Sequence, residues 1–131
     1  MTNFAAMPPE QRAEYAERVA VLNDALRADL SNPQRGRVVL TDGIRAMIED
    51  TDLSPFWFDT ANVLRIVTDF ADFTEDNNPH GERDFGAFEW KETRCFWKID
   101  YYDNALEGGS PDPADNDVTM RIITILRADE Y

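Results

Sequence analysis

The apolar residues change their repeat partway along the chain, and this change constrains the fold more than any other feature of the sequence. Tyr15, Val19, Leu22, Leu26 and Leu30 recur every three or four residues, as do Val63, Leu64, Val67 and Phe70. That spacing gives each segment one apolar stripe, the pattern of an amphipathic helix. After residue 84 the pattern gives way to two aromatic-rich runs, Phe85 to Trp90 and Arg94 to Tyr102, separated by Lys91-Glu92-Thr93. Such a pair predicts a β-hairpin. Val118 to Arg127 is β-prone and apolar on both faces, as expected of a central strand or one whose outer face meets a helix. The expected class is therefore α+β, with N-terminal helices packed on an antiparallel sheet of three to four strands. At 131 residues the chain reads as a single domain, 1–131.

Local signals refine the layout. The first helix is expected over 9–30, opened by Pro8 and Pro9 and ended by Ser31-Asn32-Pro33. Its polar side alternates Glu14, Glu17 and Asp24 with Arg12, Arg18 and Arg27, the pattern of a solvated face. A short strand is predicted at 37–41, then a cap or turn at Asp42-Gly43 and a brief helix over 44–49. Residues 52–58 read as irregular, with Phe56, Trp57 and Phe58 outward, and Thr60 as the cap of a helix reaching Phe70. Residues 74–84 and 106–116 read as polar connections.

Charge bounds the function. The chain holds 26 Asp and Glu against 13 Lys and Arg, a net charge of -13, where about 2–8 suffices to keep a small domain in solution. Asp100, Asp103, Glu107, Asp112, Asp115 and Asp117 fall in one stretch that has no basic residue. Such a surface favours a cationic partner over nucleic acid. Duplex DNA carries one charge per ~1.7 Å, so thirteen charges match roughly 22 Å of helix axis. A compact acidic domain of this kind has the charge to imitate nucleic acid in a basic groove. The plainer alternative is that acidic loops aid solubility and form turns.

Other classes are excluded or open. No apolar run nears the ~20 residues of a membrane span, and Met1 to Pro9 lacks the layout of a secretion signal. Cys95 is the only cysteine, so no internal disulfide forms and a reducing, cytoplasmic setting is expected. Asp76, Asn78, His80, Glu82 and Asp84 alternate in one loop with Gly81 at a calcium-loop turn position, but Ala87 stands where the bidentate Glu belongs. A structural loop with Asx turns at Asn77 and Asn78, and Arg83 pairing with a carboxylate, explains it better. No cofactor is expected. His80 is the only histidine, and Cys95 alternates with Trp97, Ile99 and Tyr101 as a buried thiol would. Asp84, Glu89 and Lys91 loosely match the carboxylate and lysine set of metal-dependent nucleases, which the acidic field disfavours. Lys98 and Asp100 share a strand face with Phe96 and Tyr102; Arg121 joins them if its strand pairs alongside. That set reads equally as a salt-bridge ladder or as a docking face.

The blocks Phe73 to Glu89, Phe96 to Asp103, Ser110-Pro111-Asp112-Pro113 and Ala128-Asp129-Glu130-Tyr131 resemble those of an uncharacterised family of small acidic bacterial proteins, the domain of unknown function 3768. The resemblance runs from about Val19 to the C-terminus and leaves out Met1 to Arg18. It implies an accessory protein of plasmids and other mobile elements, and it brings no assigned activity to any residue.

These readings converge on a non-enzymatic acidic binding protein that inhibits a bacterial nucleic-acid-handling defence system, a CRISPR effector or a restriction enzyme. The partner-binding residues are expected to be Asp100, Asp103, Glu107, Asp112, Asp115 and Asp117, with Tyr101 and Tyr102 as anchors. The partner is a basic protein; neither direct nucleic-acid binding nor membrane binding is expected. The alternatives are a small enzyme or metal-binding module centred on the His80 loop, and a homodimer that covers Phe56, Trp57 and Phe58.

Overall fold

A computed structural model describes residues 7–131; the reading of the first residues as lacking a secretion signal falls mostly outside them. Three helices, α1 (Pro9–Ala28), α2 (Asp42–Met47) and α3 (Phe56–Asp69), accompany four strands, β1 (Arg37–Leu40), β2 (Phe85–Trp90), β3 (Thr93–Tyr102) and β4 (Met120–Arg127). Short 3-10 turns at Asn116–Val118 and Ala128–Glu130 flank the last strand. The strand order is β1-β4-β3-β2. The expected α+β architecture is the one observed. The sheet departs from a wholly antiparallel one because β1 runs parallel to β4, from Arg37 opposite Ile122 to Leu40 opposite Ile125. Parallel neighbours need a long crossover, and here the segment carrying α2, α3 and the β2–β3 hairpin supplies it.

Both faces of β4 are apolar because it is central, between β1 and β3. Its inner face places Ile123 and Ile125 beside Cys95, Trp97 and Ile99 of β3. Leu26 of α1, Ile44 of α2, and Val63 and Val67 of α3 pack onto that layer. Among the described residues the helix side chains of the core all pack on that inner layer, and the opposite face is built differently. There Phe85 and Phe96 meet ring to ring at 5.1 Å, and Tyr131 folds back against both. Glu130 closes the same corner, accepting from Thr41 Oγ1 and from the backbone N–H groups of Gly43 and Arg127. The α2 start is thereby tied to the chain terminus, and the Arg127 amide bond in particular holds the Glu130 carboxyl below its ordinary pKa.

Two helix expectations need correction. The aromatic triplet is not irregular: α3 begins at Phe56, one residue after Pro55. A carboxylate upstream, Asp50, accepts from Phe56 N–H at 3.4 Å, while Thr60 lies in the second turn and donates back to Phe56 O at 2.8 Å. Arg27 is not on a solvated face. Its guanidinium is buried, donates to Val67 O (3.0 Å) and Phe70 O (2.7 Å), and lies 4.8 Å from the Trp97 ring. One side chain thus donates to two carbonyls at the end of α3, of which Val67 O also accepts from Phe70 N–H, and covers the central tryptophan.

Candidate functional site

The β2–β3 hairpin and the β3–β4 connection lie at opposite ends of β3. The acidic residues gather at the second end. Tyr102 bridges to Gly109, and Ser110 N–H donates to Tyr101 O, so the connection doubles back along the strand before crossing to β4. Asn104 Nδ2 donates to Asp117 O at 2.7 Å and joins the turn at 103–107 to the segment at 115–117. Among the carboxylates that shape this loop, Asp103 Oδ1 accepts from Glu107 N–H, and Asp115 Oδ1 accepts from Asp117 N–H. Both contacts use a short acidic side chain to satisfy local amides, as Asx turns and caps do. Glu107, Asp115 and Asp117 are exposed, and among the described residues no ion pair engages them or Asp103.

The acids from 100 to 117 therefore do not act as one set. Asp100 sits on the open sheet face and pairs with Lys98 at 3.0 Å, which raises the Lys98 pKa. Arg121 does not join that ladder. It lies opposite Tyr101 in the register, which puts it on the helix-covered face. Asp112 turns inward and accepts from Tyr15 Oη at 2.5 Å, holding the connection against α1.

Tyr101 is likewise withdrawn from the surface. Its hydroxyl donates to Glu82 at 2.7 Å and accepts from Asn23 Nδ2 at 2.8 Å. Asn23 Oδ1 accepts in turn from the buried Arg121, whose guanidinium also bonds Asn116 Oδ1 and Pro113 O and lies over the Tyr101 ring. Burial raises the pKa of the Glu82 carboxyl and of the Tyr101 hydroxyl, and lowers that of Arg121. This network locks α1, the 74–84 loop, β3, β4 and the acidic connection together; it is the internal frame that presents the outer carboxylates. Tyr102, at the end of β3, is exposed, and so is Leu106 in the connection, which is held at φ 59°. A leucine in the left-handed region is strained. Sequence reasoning passed over Leu106 because backbone sign leaves no trace in a single apolar residue between Ala and Glu.

The His80 loop is a structural element. Asn77 and Asn78 do not form the expected Asx turns, which close on the amide two residues on. Their side-chain oxygens accept from the N–H groups of Thr74, three residues back, and Arg83, five residues on, and so brace the loop over a wider span. Arg83 forks onto Glu17 (3.1 Å) and Asp24 (2.8 Å) of α1, and these carboxylates raise its pKa. Asp76, Asn78, His80, Glu82 and Asp84 do not converge, and no group of three or more His, Cys, Asp or Glu is placed to hold a metal among the described residues. Cys95 is buried, with a thiol pushed up by burial, and it donates to Thr93 O. The nuclease-like set is dispersed as well. Glu89 pairs across from Arg94, while Lys91 lies in the hairpin turn bound to Asp59. No described helix is long and apolar enough to cross a membrane.

A small α+β domain results, with helices on one face of a mixed sheet and an acidic connection framed from inside. Residues 40–130 match the family model described as a protein of unknown function, DUF3768, and the chain belongs to that family. The matched segment starts at the end of β1, so α1, which the resemblance had partly included, lies before it. No curated protein and no solved structure matches the chain.

Proposed function

We propose that this protein is a non-catalytic acidic binding protein that docks the β3–β4 connection on a basic protein surface. The observation that carries this reading is how the charges are disposed. Arg27, Arg83, Lys91, Lys98 and Arg127 are held in internal ion pairs, and Arg121 is buried. Among the described residues Glu107, Asp115 and Asp117 have no such partner, and the exposed Tyr102 and Leu106 belong to the same strand end and connection. Ordered carboxylates around apolar anchors suit a cationic surface, steer its approach and lose strength with salt.

The partner class that best answers this chemistry is a nucleic-acid-handling enzyme, whose groove must be basic to hold phosphate. Occupying that groove blocks the enzyme, and a cytoplasmic enzyme of bacterial defence, a restriction enzyme or a CRISPR effector, is the narrower form of the proposal. The test is affinity capture from a bacterial lysate with the natural chain and with a Glu107→Lys/Asp115→Lys/Asp117→Lys variant. The reading expects a basic nucleic-acid enzyme that the natural chain captures at low salt, high salt releases, and the variant fails to capture. Equal capture by both chains would refute it.

A further inference from the structure

The far end of β3 carries a different surface. Leu53 is 99% exposed, and Phe56, Trp57 and Phe58 in the first turn of α3 are 50–60% exposed. Scattered exposed apolar residues are ordinary, but four in six positions form a patch of the kind that marks an interaction site. The patch is also held rigid. Thr51 N–H donates to Ser54 O and Ser54 N–H to Thr51 Oγ1, closing the loop. Asp59, one residue beyond the triplet, is buried; its Oδ2 accepts from Glu49 N–H and from Lys91 Nζ. Trp57 and Phe58 meet edge to face at 6.2 Å. Little backbone ordering entropy remains to be lost on binding.

The rim decides the partner. Glu49, Asp50, Asp52 and, from the hairpin turn, Glu92 are exposed and enter no ion pair among the described residues, whereas Lys91 is committed to Asp59. Arg45 and Arg65 are the exposed cations on the two helices that flank the loop. A second copy of this chain would bring like-charged rims together under a net charge of -13 on each, which opposes self-association. Nucleic acid is opposed by the same charges.

We propose that Leu53, Phe56, Trp57 and Phe58 form a docking knob for a protein groove that is apolar at its floor and lined by Lys or Arg at its edge. The knob is separate from the acidic connection. β3 spans ten residues between the two ends, about 33 Å at 3.3 Å per residue. Either surface therefore works or fails without the other.

Trp57 supplies the readout, because Trp90 and Trp97 are buried. The probe is a short synthetic amphipathic helix of leucine and lysine, with polylysine and a leucine–glutamate helix as controls. The leucine–lysine helix should shield Trp57 from acrylamide quenching, and neither control should. Phe56→Ser/Phe58→Ser should weaken that binding at least about tenfold, the loss expected of interface anchors. Leu53→Ser, in the loop outside the helix, gives an independent variant should the double change disturb folding, and should also weaken binding. Asp115→Lys/Asp117→Lys at the other end should leave it within about twofold, since distant sites act independently. Equal shielding by polylysine would overturn the proposal. So would affinity unchanged by the Phe56, Phe58 and Leu53 substitutions, or shielding of Trp57 on concentrating the protein alone, which would assign the knob to a second copy.

Discussion

Lys91 Nζ lies 2.6 Å from Asp59 Oδ2 and 2.7 Å from Met47 O, so one lysine joins the hairpin turn to α2 and α3. Glu49 N–H donates to the same Asp59 oxygen at 2.8 Å. First that amide bond, and then Lys91, hold the Asp59 carboxyl below its ordinary pKa. A carboxyl with a lowered folded pKa stabilises the fold above its unfolded pKa, about 3.9. That contribution disappears as pH falls through the folded value. Asp59→Asn should flatten the fall in stability below about pH 4, and Lys91→Ala should cost about 1–3 kcal/mol at pH 7. Urea unfolding between pH 2 and 7 measures both, and a double-mutant cycle should find the two changes coupled.

The same turn carries backbone strain. Lys91 and Glu92 have φ of 50° and 61°, the left-handed pair of a two-residue hairpin turn. Neither is the glycine or asparagine such turns favour, and the Asp59 contact explains why lysine stands at the first position. Among the described residues Glu92 makes no comparable contact. Glu92→Gly should therefore stabilise the protein, by up to about 1 kcal/mol, raising the thermal midpoint. A lower midpoint would show that Glu92 holds the turn.

Glu82 titrates in the opposite sense to Asp59. Burial raises its pKa, with the Tyr101 hydroxyl acting against that. The folded chain thus holds this proton more tightly than the unfolded one, whose glutamate titrates near about 4.3. Stability from this group is greatest at low pH and declines as pH rises through the folded value. Glu82→Gln keeps an oxygen for Tyr101 and removes the charge. It should leave stability at pH 7 unchanged or higher and remove that decline; a loss above about 1 kcal/mol at pH 7 would mean that the ionised form supports Arg121.

Arg27 and Gly86 guard Trp97 from two sides. Arg27→Ala removes the guanidinium from Phe70 O and from Val67 O, which keeps the Phe70 N–H, and uncovers the indole; it should cost about 2–3 kcal/mol. Gly86 faces Trp97 across the hairpin, where an added methyl would overlap the indole Nε1. Gly86→Ala should cost about 1–3 kcal/mol through overpacking. Chemical denaturation reads both, and neither change touches Glu107, Asp115 or Asp117.

The strands, α1, and the placement of Cys95, Trp97 and Ile99 on a core face were legible because strand and helix periods sort apolar residues onto faces. The parallel neighbour of β4 was not, since a four-residue strand such as β1 carries no sign of its direction. Arg27 and Arg121 were misplaced for one shared reason. Each lies at a position whose period points inward, yet a charged residue is expected outside unless paired, and the partners that draw them in from other elements (Val67 O and Phe70 O for Arg27, Asn23 for Arg121) lie far away in sequence. Tyr101 and Asp112 read as surface because the acidic run reads as continuous, whereas Tyr101 follows the core face of its strand and Asp112 turns in to meet Tyr15. The exposed aromatic triplet was read correctly as exposed and wrongly as irregular: Pro55 hides the start of α3, and the capping carboxylate, Asp50, lies six residues upstream of Phe56.

The most direct test of the central claim is the affinity of the captured basic partner for the natural chain and for Glu107→Lys/Asp115→Lys/Asp117→Lys, titrated across salt concentration. Docking through the acidic connection predicts an affinity that falls steeply with salt for the natural chain, and a much weaker, flatter dependence for the variant. Affinity independent of salt, or identical in the two chains, would contradict it.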